Sequence, residues 1–168
     1  IKQRNWVKDA KLKRILPSKL QITIVEREPV AVWQFQHQLH LIDEEGIVLT
    51  NLDSADGLPF PLLVGEGAND EASKIFDLLR KEKVLYDRME AAIRLNDRRW
   101  NIVFMNGIEV MLPEKDFDEA WKKLSRLHIE KQVLDRNVKT IDLRMPDRVY
   151  IKTPGGNENL NLAGSHSA

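Results

Sequence analysis

The sequence predicts an α+β fold, and three observations carry that prediction. Strand-period segments flank turn signals at Asp43-Glu44-Glu45-Gly46 and at Asn106-Gly107. Helix-period segments, at Ala72, Ile75, Phe76, Leu79 and at Phe117, Ala120, Trp121, Leu124, Leu127, His128, fall between and after these hairpins. A last pair of short alternating strands lies within Thr140 to Lys152. Strands joined by tight turns pair antiparallel, so a mainly antiparallel sheet with flanking helices is expected.

Taken in order, residues 7–16 set Val7, Ala10, Leu12, Ile15 and Leu16 among basic residues and stop at Pro17. Leu20, Ile22 and Ile24 then alternate with Gln21 and Thr23, the period of a half-buried strand. Pro29 ends that element and Val30-Ala31-Val32-Trp33 begins another almost without a loop, which marks the join of two structural units. Leu39-His40-Leu41-Ile42 and Ile47-Val48-Leu49 are the arms of a hairpin whose Gly46 supplies the positive φ of the turn. Residues 51–61, rich in Asp, Gly and Pro, read as loop, and Leu62-Leu63-Val64 as a short buried strand closed by Gly65 and Gly67.

Asn69 is the expected cap of the helix that ends at Leu79, and a second short helical stretch is expected from Val84 to Met89. Between Arg99 and Pro113, Trp100, Ile102 and Phe104 alternate towards Asn106-Gly107, and Ile108, Val110 and Leu112 alternate back. Asp116, Asp118 and Glu119 suit the N-terminus of the helix that follows. Trp6, Trp33, Trp100 and Trp121 fall on inward phases and are expected in the core.

One strand of the closing pair is expected at a sheet edge. It carries Arg144, Asp147, Arg148 and Lys152 beside Val149, Tyr150 and Ile151. That mixture suits an edge kept from self-pairing yet open to a chosen partner strand, while from composition alone a charged edge that binds nothing is the commoner reading of any single strand. Residues 153–168 carry the Gly/Asn/Ser run from Pro154 to Ala168, which lacks aromatic and β-branched residues, and this tail is expected to be disordered.

Composition narrows the function. Lys+Arg and Asp+Glu both number 26, and a net charge of zero argues against a nucleic-acid interface. With no cysteine, thiolate catalysis, disulfides and Cys-ligated zinc are excluded. No apolar run reaches the roughly 18–20 residues of a membrane helix. His37, His40, His128 and His166 form no metal-binding spacing. Asp43-Glu44-Glu45 reads as a solvated turn tip, without the shelter that acid–base chemistry requires. Gly65-Glu66-Gly67 has no Lys-Ser/Thr partner for a phosphate, and no serine stands in a GxSxG context. No catalytic residue, metal or cofactor is expected, which leaves binding or scaffolding.

Several stretches resemble the FtsQ/DivIB family of bacterial cell-division proteins, in the alphaproteobacterial manner. Trp6-Val7-Lys8-Asp9-Ala10 and Leu16-Pro17-Ser18-Lys19-Leu20, running on to Trp33, resemble the second half of a POTRA module entering the family's β domain. Asp43-Glu44-Glu45-Gly46, then Arg98-Arg99-Trp100-Asn101-Ile102 with Asn106-Gly107 and Leu112-Pro113, then Asp142-Leu143-Arg144-Met145-Pro146-Asp147-Arg148 follow in family order. The resemblance implies a partial POTRA domain over 1–29, an FtsQ-type β domain over 30–152, and the tail. It implies no enzymatic activity and no cofactor. It implies a single-pass inner-membrane protein whose membrane helix is absent from this chain. This part would be periplasmic and concentrated at the division septum.

The resemblance also implies partners: FtsB and FtsL, with FtsK, FtsW and FtsI as further candidates. The receiving edge would be Arg144, Met145, Arg148, Val149, Tyr150, Ile151 and Lys152, with Arg98 and Arg99 on the neighbouring hairpin. Met145 stands where some members carry an aromatic contact residue, and a flexible Met can fill the same pocket. A chaperone-like POTRA module of an outer-membrane assembly or secretion system is the alternative. It would share Leu20 to Pro29 but neither the Asn106-Gly107 hairpin nor the Asp142-Leu143-Arg144 ending.

Overall fold

A computed structural model describes residues 5–161. Its first element is an antiparallel hairpin of β1 (Val7–Ile15) and β2 (Lys19–Glu26), a two-stranded sheet of its own. Every residue of both strands is exposed, Ile22 and Ile24 to 56% each. The expected half-burial of β2 is therefore corrected: its apolar residues lie on a face that no described residue covers. At its base, Arg27 N–H donates to the Trp6 carbonyl at 2.8 Å and the chain passes directly into the second unit.

That unit is a ten-stranded sheet. Its strands are β3 (Pro29–Phe35), β4 (Gln38–Asp43), β5 (Val48–Leu52), β6 (Leu62–Val64), β7 (Met89–Leu95), β8 (Arg99–Phe104), β9 (Glu109–Met111), β10 (Thr140–Asp142), β11 (Arg148–Thr153) and β12 (Gly156–Asn161). They lie in the order β12-β11-β10-β9-β8-β7-β6-β3-β4-β5. Pairing is mainly antiparallel; β3 with β6, β6 with β7, and β9 with β10 are parallel, each across a longer connection. The expected α+β class holds.

Three helices, α1 (Ala72–Leu79), α2 (Lys83–Tyr86) and α3 (Phe117–Lys131), bury their apolar stripes on the sheet. Ile75, Phe76 and Leu79 of α1 meet Trp121, Leu124 and Leu127 of α3 in one core with Ile102, Phe104, Val110 and Ile141. Trp121 is fully buried, stacks on Phe104 at 6.2 Å, and donates its indole N–H to the Leu79 carbonyl at 3.1 Å. Trp6, Trp33 and Trp100 are only half-buried. Trp33 lies parallel to Phe35 at 5.7 Å and donates to the Gly65 carbonyl at 2.9 Å.

The two hairpins read from turn chemistry are present. At the first, Gly46 (φ +78) sits where a Cβ would lie 2.0 Å from the Asn69 carbonyl oxygen, so both its backbone and its surroundings require glycine. Asn69 does not cap α1. It opens a 3-10 turn and its amide donates to the Gly46 carbonyl at 3.3 Å, tying helix entry to hairpin. Asp43 is not solvated either: it is 3% exposed, and its carboxylate accepts from the N–H of Glu45 (3.0 Å) and Ile47 (2.8 Å) and from Arg27.

The helical stretch expected up to Met89 is a single turn, and Met89 opens β7. This strand lies inside the sheet and buries Met89, Ala91 and Ala92. At the other end of the chain, residues 156–161, expected to be disordered, form β12. It pairs with β11 from Thr153↔Gly156 to Arg148↔Asn161. Residues 162–168 lie outside the described residues.

Candidate interaction site at the end of the sheet

The chain around β10 is held by its own carboxylate. Asp142 accepts from the Arg144 N–H at 3.0 Å, an Asx-type turn that reverses the chain directly after the strand. The Arg144 guanidinium returns to the same carboxylate through two bonds, at 2.9 and 2.6 Å. Burial alone would raise the Asp142 pKa. The Arg144 contacts, with Arg99 nearby, outweigh it and hold the carboxyl below its ordinary value. Leu143 is buried, its N–H donating to Met111 at 2.9 Å, so the next residue with freedom to project is Met145, 51% exposed.

Opposite this loop runs the polar face of α3. Lys123 donates to the Pro146 carbonyl at 3.0 Å and bridges helix to loop. Its desolvation lowers the ammonium pKa against the opposing pull of Asp147. Between them lies a groove of about 920 Å³. Its lining includes the buried Leu127 and Leu143, the exposed Met145, and Arg99, Arg126 and Arg144, together with the carboxylates Glu114, Asp116, Glu119 and Glu130. Neither Arg99 nor Arg126 forms a salt bridge with a described residue. Lys122 is engaged by Asp118 at 2.8 Å, which raises its pKa. Apolar side chains beside guanidinium groups and carboxylates suit an amphipathic polypeptide that carries charge of its own.

The expected site residues separate into three groups. Arg99, Arg144 and Met145 meet in the groove. Arg98, Arg148, Tyr150 and Lys152 are exposed around it or on the outer face of β11, with Arg148 drawn towards Tyr150 and Asp147. Val149 and Ile151 are 1% and 4% exposed, members of the core. They can offer a partner only their backbone. The edge is corrected too: β11 has β10 on one side and β12 on the other.

Sequence reasoning missed the α3 wall. Its signal was present, since Lys122, Lys123 and Arg126 fall on the face opposite Trp121 and Leu124. Nothing local shows that this face looks at residues 143–146. Among the described residues no group of His, Asp or Glu is arranged to hold a metal ion.

A family model described as cell division protein FtsQ/DivIB, C-terminal, matches residues 31–144. The match begins after residue 30, so it does not rest on the Leu20 to Pro29 stretch shared with the alternative reading. The cell division protein FtsQ of Rickettsia bellii is 41% identical over 156 residues, 90% of this chain and 57% of the relative. That of Caulobacter vibrioides is 38% identical over 147 residues, 88% of this chain and 49% of the relative. The chain thus spans about half the length of these curated relatives. The solved extracytoplasmic domain of DivIB from Geobacillus stearothermophilus aligns at TM-score 0.45 and 15% identity, over 67% of this chain and 99% of that one.

Proposed function

This chain belongs to the FtsQ/DivIB family of cell-division proteins, and from that premise we propose that it is a non-catalytic scaffold of the divisome. Its partners are FtsB and FtsL, received at the C-terminal end of the β domain, and through them it links early and late division proteins and controls septal peptidoglycan synthesis. FtsK, FtsW and FtsI are further candidate partners. The whole protein is held in the inner membrane by an N-terminal helix, with this part periplasmic and gathered at the septum. Residues 1–29 form part of a POTRA unit and 30–152 the β domain.

The observation that carries this reading is the groove that joins Arg99, Arg144 and Met145 beside the last strands of the sheet. A groove in which apolar side chains lie beside charged ones is suited to recognising a polypeptide segment. Among the described residues no helix is long and apolar enough to cross a membrane. The test is titration calorimetry of this chain with the periplasmic segment of FtsB. Saturable 1:1 binding that Met145→Asp abolishes while circular dichroism stays unchanged is the expected result. Unaltered binding in that folded variant removes the groove from the reading.

A further inference from the structure

The strand that covers β11 is made of poor strand material. β12 reads Gly156-Asn157-Glu158-Asn159-Leu160-Asn161, with no β-branched and no aromatic residue. Gly and Asn are among the residues that strands tolerate least. The strand it covers reads Arg148-Val149-Tyr150-Ile151-Lys152-Thr153, of which Val149, Tyr150, Ile151 and Thr153 favour strands. β11 is also anchored independently of β12: Val149 and Ile151 are in the core, and Thr140, Ile141 and Asp142 of β10 pair with its other side. Removing β12 would leave β11 in place with a row of unpaired N–H and C=O groups, a template for another strand.

β12 is delivered to that edge by a tight turn. Thr153, Pro154, Gly155 and Gly156 reverse the chain, Gly156 at φ +149, and the Thr153 hydroxyl donates to the Gly156 carbonyl at 3.0 Å. A segment tethered this closely occupies the edge at a high effective concentration even when its own pairing is weak. The groove opens beside the same end of the sheet, where Met145 and Pro146 precede β11 by a few residues. A partner seated in the groove is therefore only a few residues along the chain from the edge that β12 holds.

We propose that β12 is a displaceable guard strand: it occupies the outer edge of β11 in the unbound protein and gives way to an extended partner segment rich in β-branched or aromatic residues. This rests on the proposed reading of the groove and adds a gate to it. The occupied edge lowers apparent affinity by the fraction of time it stands open, so an edge open one-tenth of the time weakens binding about tenfold.

The experiment uses three forms of this chain and one probe, the periplasmic segment of FtsB, with affinity read by calorimetry. The forms are the unaltered chain, a truncation after Thr153, and the double variant Lys152→Cys/Asn157→Cys, whose two positions stand opposite each other across the hairpin. Oxidation of the double variant locks β12 onto β11. The truncation is expected to bind about tenfold more tightly, and the oxidised form to lose binding that reduction restores. The oxidised and reduced comparison stands even if the truncation fails to fold. Equal affinity in all forms overturns the guard strand and leaves the groove reading intact. Weaker binding after truncation shows that the partner adds to β12 itself, which also overturns displacement. If no form binds the probe, the groove reading falls and the guard falls with it.

Discussion

Arg27 closes on Asp43 across the junction between the β1–β2 hairpin and the ten-stranded sheet. The same guanidinium reaches Glu45 at 2.7 Å, and Lys8 of β1 reaches Glu45 at 3.0 Å, so two cations of the first unit converge on the first turn of the second. Asn5 adds a bond to the Val48 carbonyl at 2.8 Å. Asp43 is the buried member of this cluster, and a buried carboxylate without its counter-ion is strongly disfavoured. Arg27→Ala should lower the melting temperature of the second unit, although Arg27 belongs to none of its ten strands. Differential scanning calorimetry checks this, and an unchanged transition would show that Asp43 is satisfied by its backbone donors alone.

Glu45 carries the pH dependence of the junction. The Arg27 hydrogen bond, followed by Lys8, holds its carboxyl below the ordinary value of 4.5. A depressed folded pKa means that the unfolded chain binds the proton first as pH falls. Its contribution is therefore complete above the ordinary carboxylate value and is lost as pH falls through the lower folded one. Melting temperatures between about pH 6 and pH 3 should fall less steeply for Glu45→Gln than for the unaltered chain.

His128 acts in a higher window. It is 5% exposed on α3, and its Nδ1 has no hydrogen-bond partner among the described residues. Burial, assisted by Arg88 and opposed by Asp135, lowers its pKa from 6.5. The folded protein thus favours the neutral ring, and stability present above 6.5 is lost as pH falls through that value towards the lower folded one. His128→Leu should flatten the stability curve in this window, read by urea denaturation at pH 7.5 and 5.5.

Trp121 is the largest single anchor of the core. It is fully buried against Phe104 and Phe117. Trp121→Ala should cost about 3–5 kcal/mol in urea denaturation. Trp33 and Trp100, half-buried, should cost less, and iodide should quench their fluorescence in part. Full accessibility of both would contradict their packing against the core.

These residues also show how far the sequence could be read. Gly46, Asn106-Gly107 and the alternation from Trp100 to Leu112 declare their elements because turn chemistry and period agree locally. β7 did not declare itself. In Glu90-Ala91-Ala92-Ile93 two alanines stand together, and a strand buried inside a sheet need not alternate. The turn that follows it uses Asn96 and Asp97 at positive φ without glycine, a weaker signal than Asn-Gly. β12 was invisible because its pairing is borrowed from β11 and not written in its own composition. Asp43 looked like a solvated turn residue because its partner, Arg27, lies 16 residues away in the other unit. For the site, Arg99, Arg144 and Met145 were legible as a family motif, while the α3 wall needed the fold.

Gly46 and Gly107 separate conformational strain from steric exclusion. Both have positive φ, +78 and +83, but a Cβ at Gly107 meets nothing within 4 Å, whereas at Gly46 it would strike the Asn69 carbonyl. Gly107→Ala should cost only the left-handed backbone term, about 1–2 kcal/mol. Gly46→Ala must in addition move the turn or the entry to α1. The second variant should be clearly the less stable in parallel urea titrations, and equal losses would show that the turn at residues 43–46 yields without cost.

The groove makes its own prediction about salt. Arg99 and Arg126 line it without a salt bridge to a described residue, so their field is available to an approaching partner. Complementary charge on a rim acts mainly on the association rate and is screened over about 8–10 Å at physiological ionic strength. Arg99→Glu should therefore slow association with the FtsB segment at low salt, and the difference from the unaltered chain should shrink as salt rises. Met145 lines the groove, is exposed, and offers apolar contact area. Met145→Ala should speed dissociation with little dependence on salt. Stopped-flow association and dissociation rates at two ionic strengths separate the two effects. Arg144 is a different case, because its guanidinium is held by both oxygens of Asp142. Its removal disturbs the turn as well as the groove, so Arg144→Ala should alter both rates and lower the melting temperature. A salt-independent loss at Arg99 together with a salt-dependent one at Met145 would reverse the assignment of the two roles.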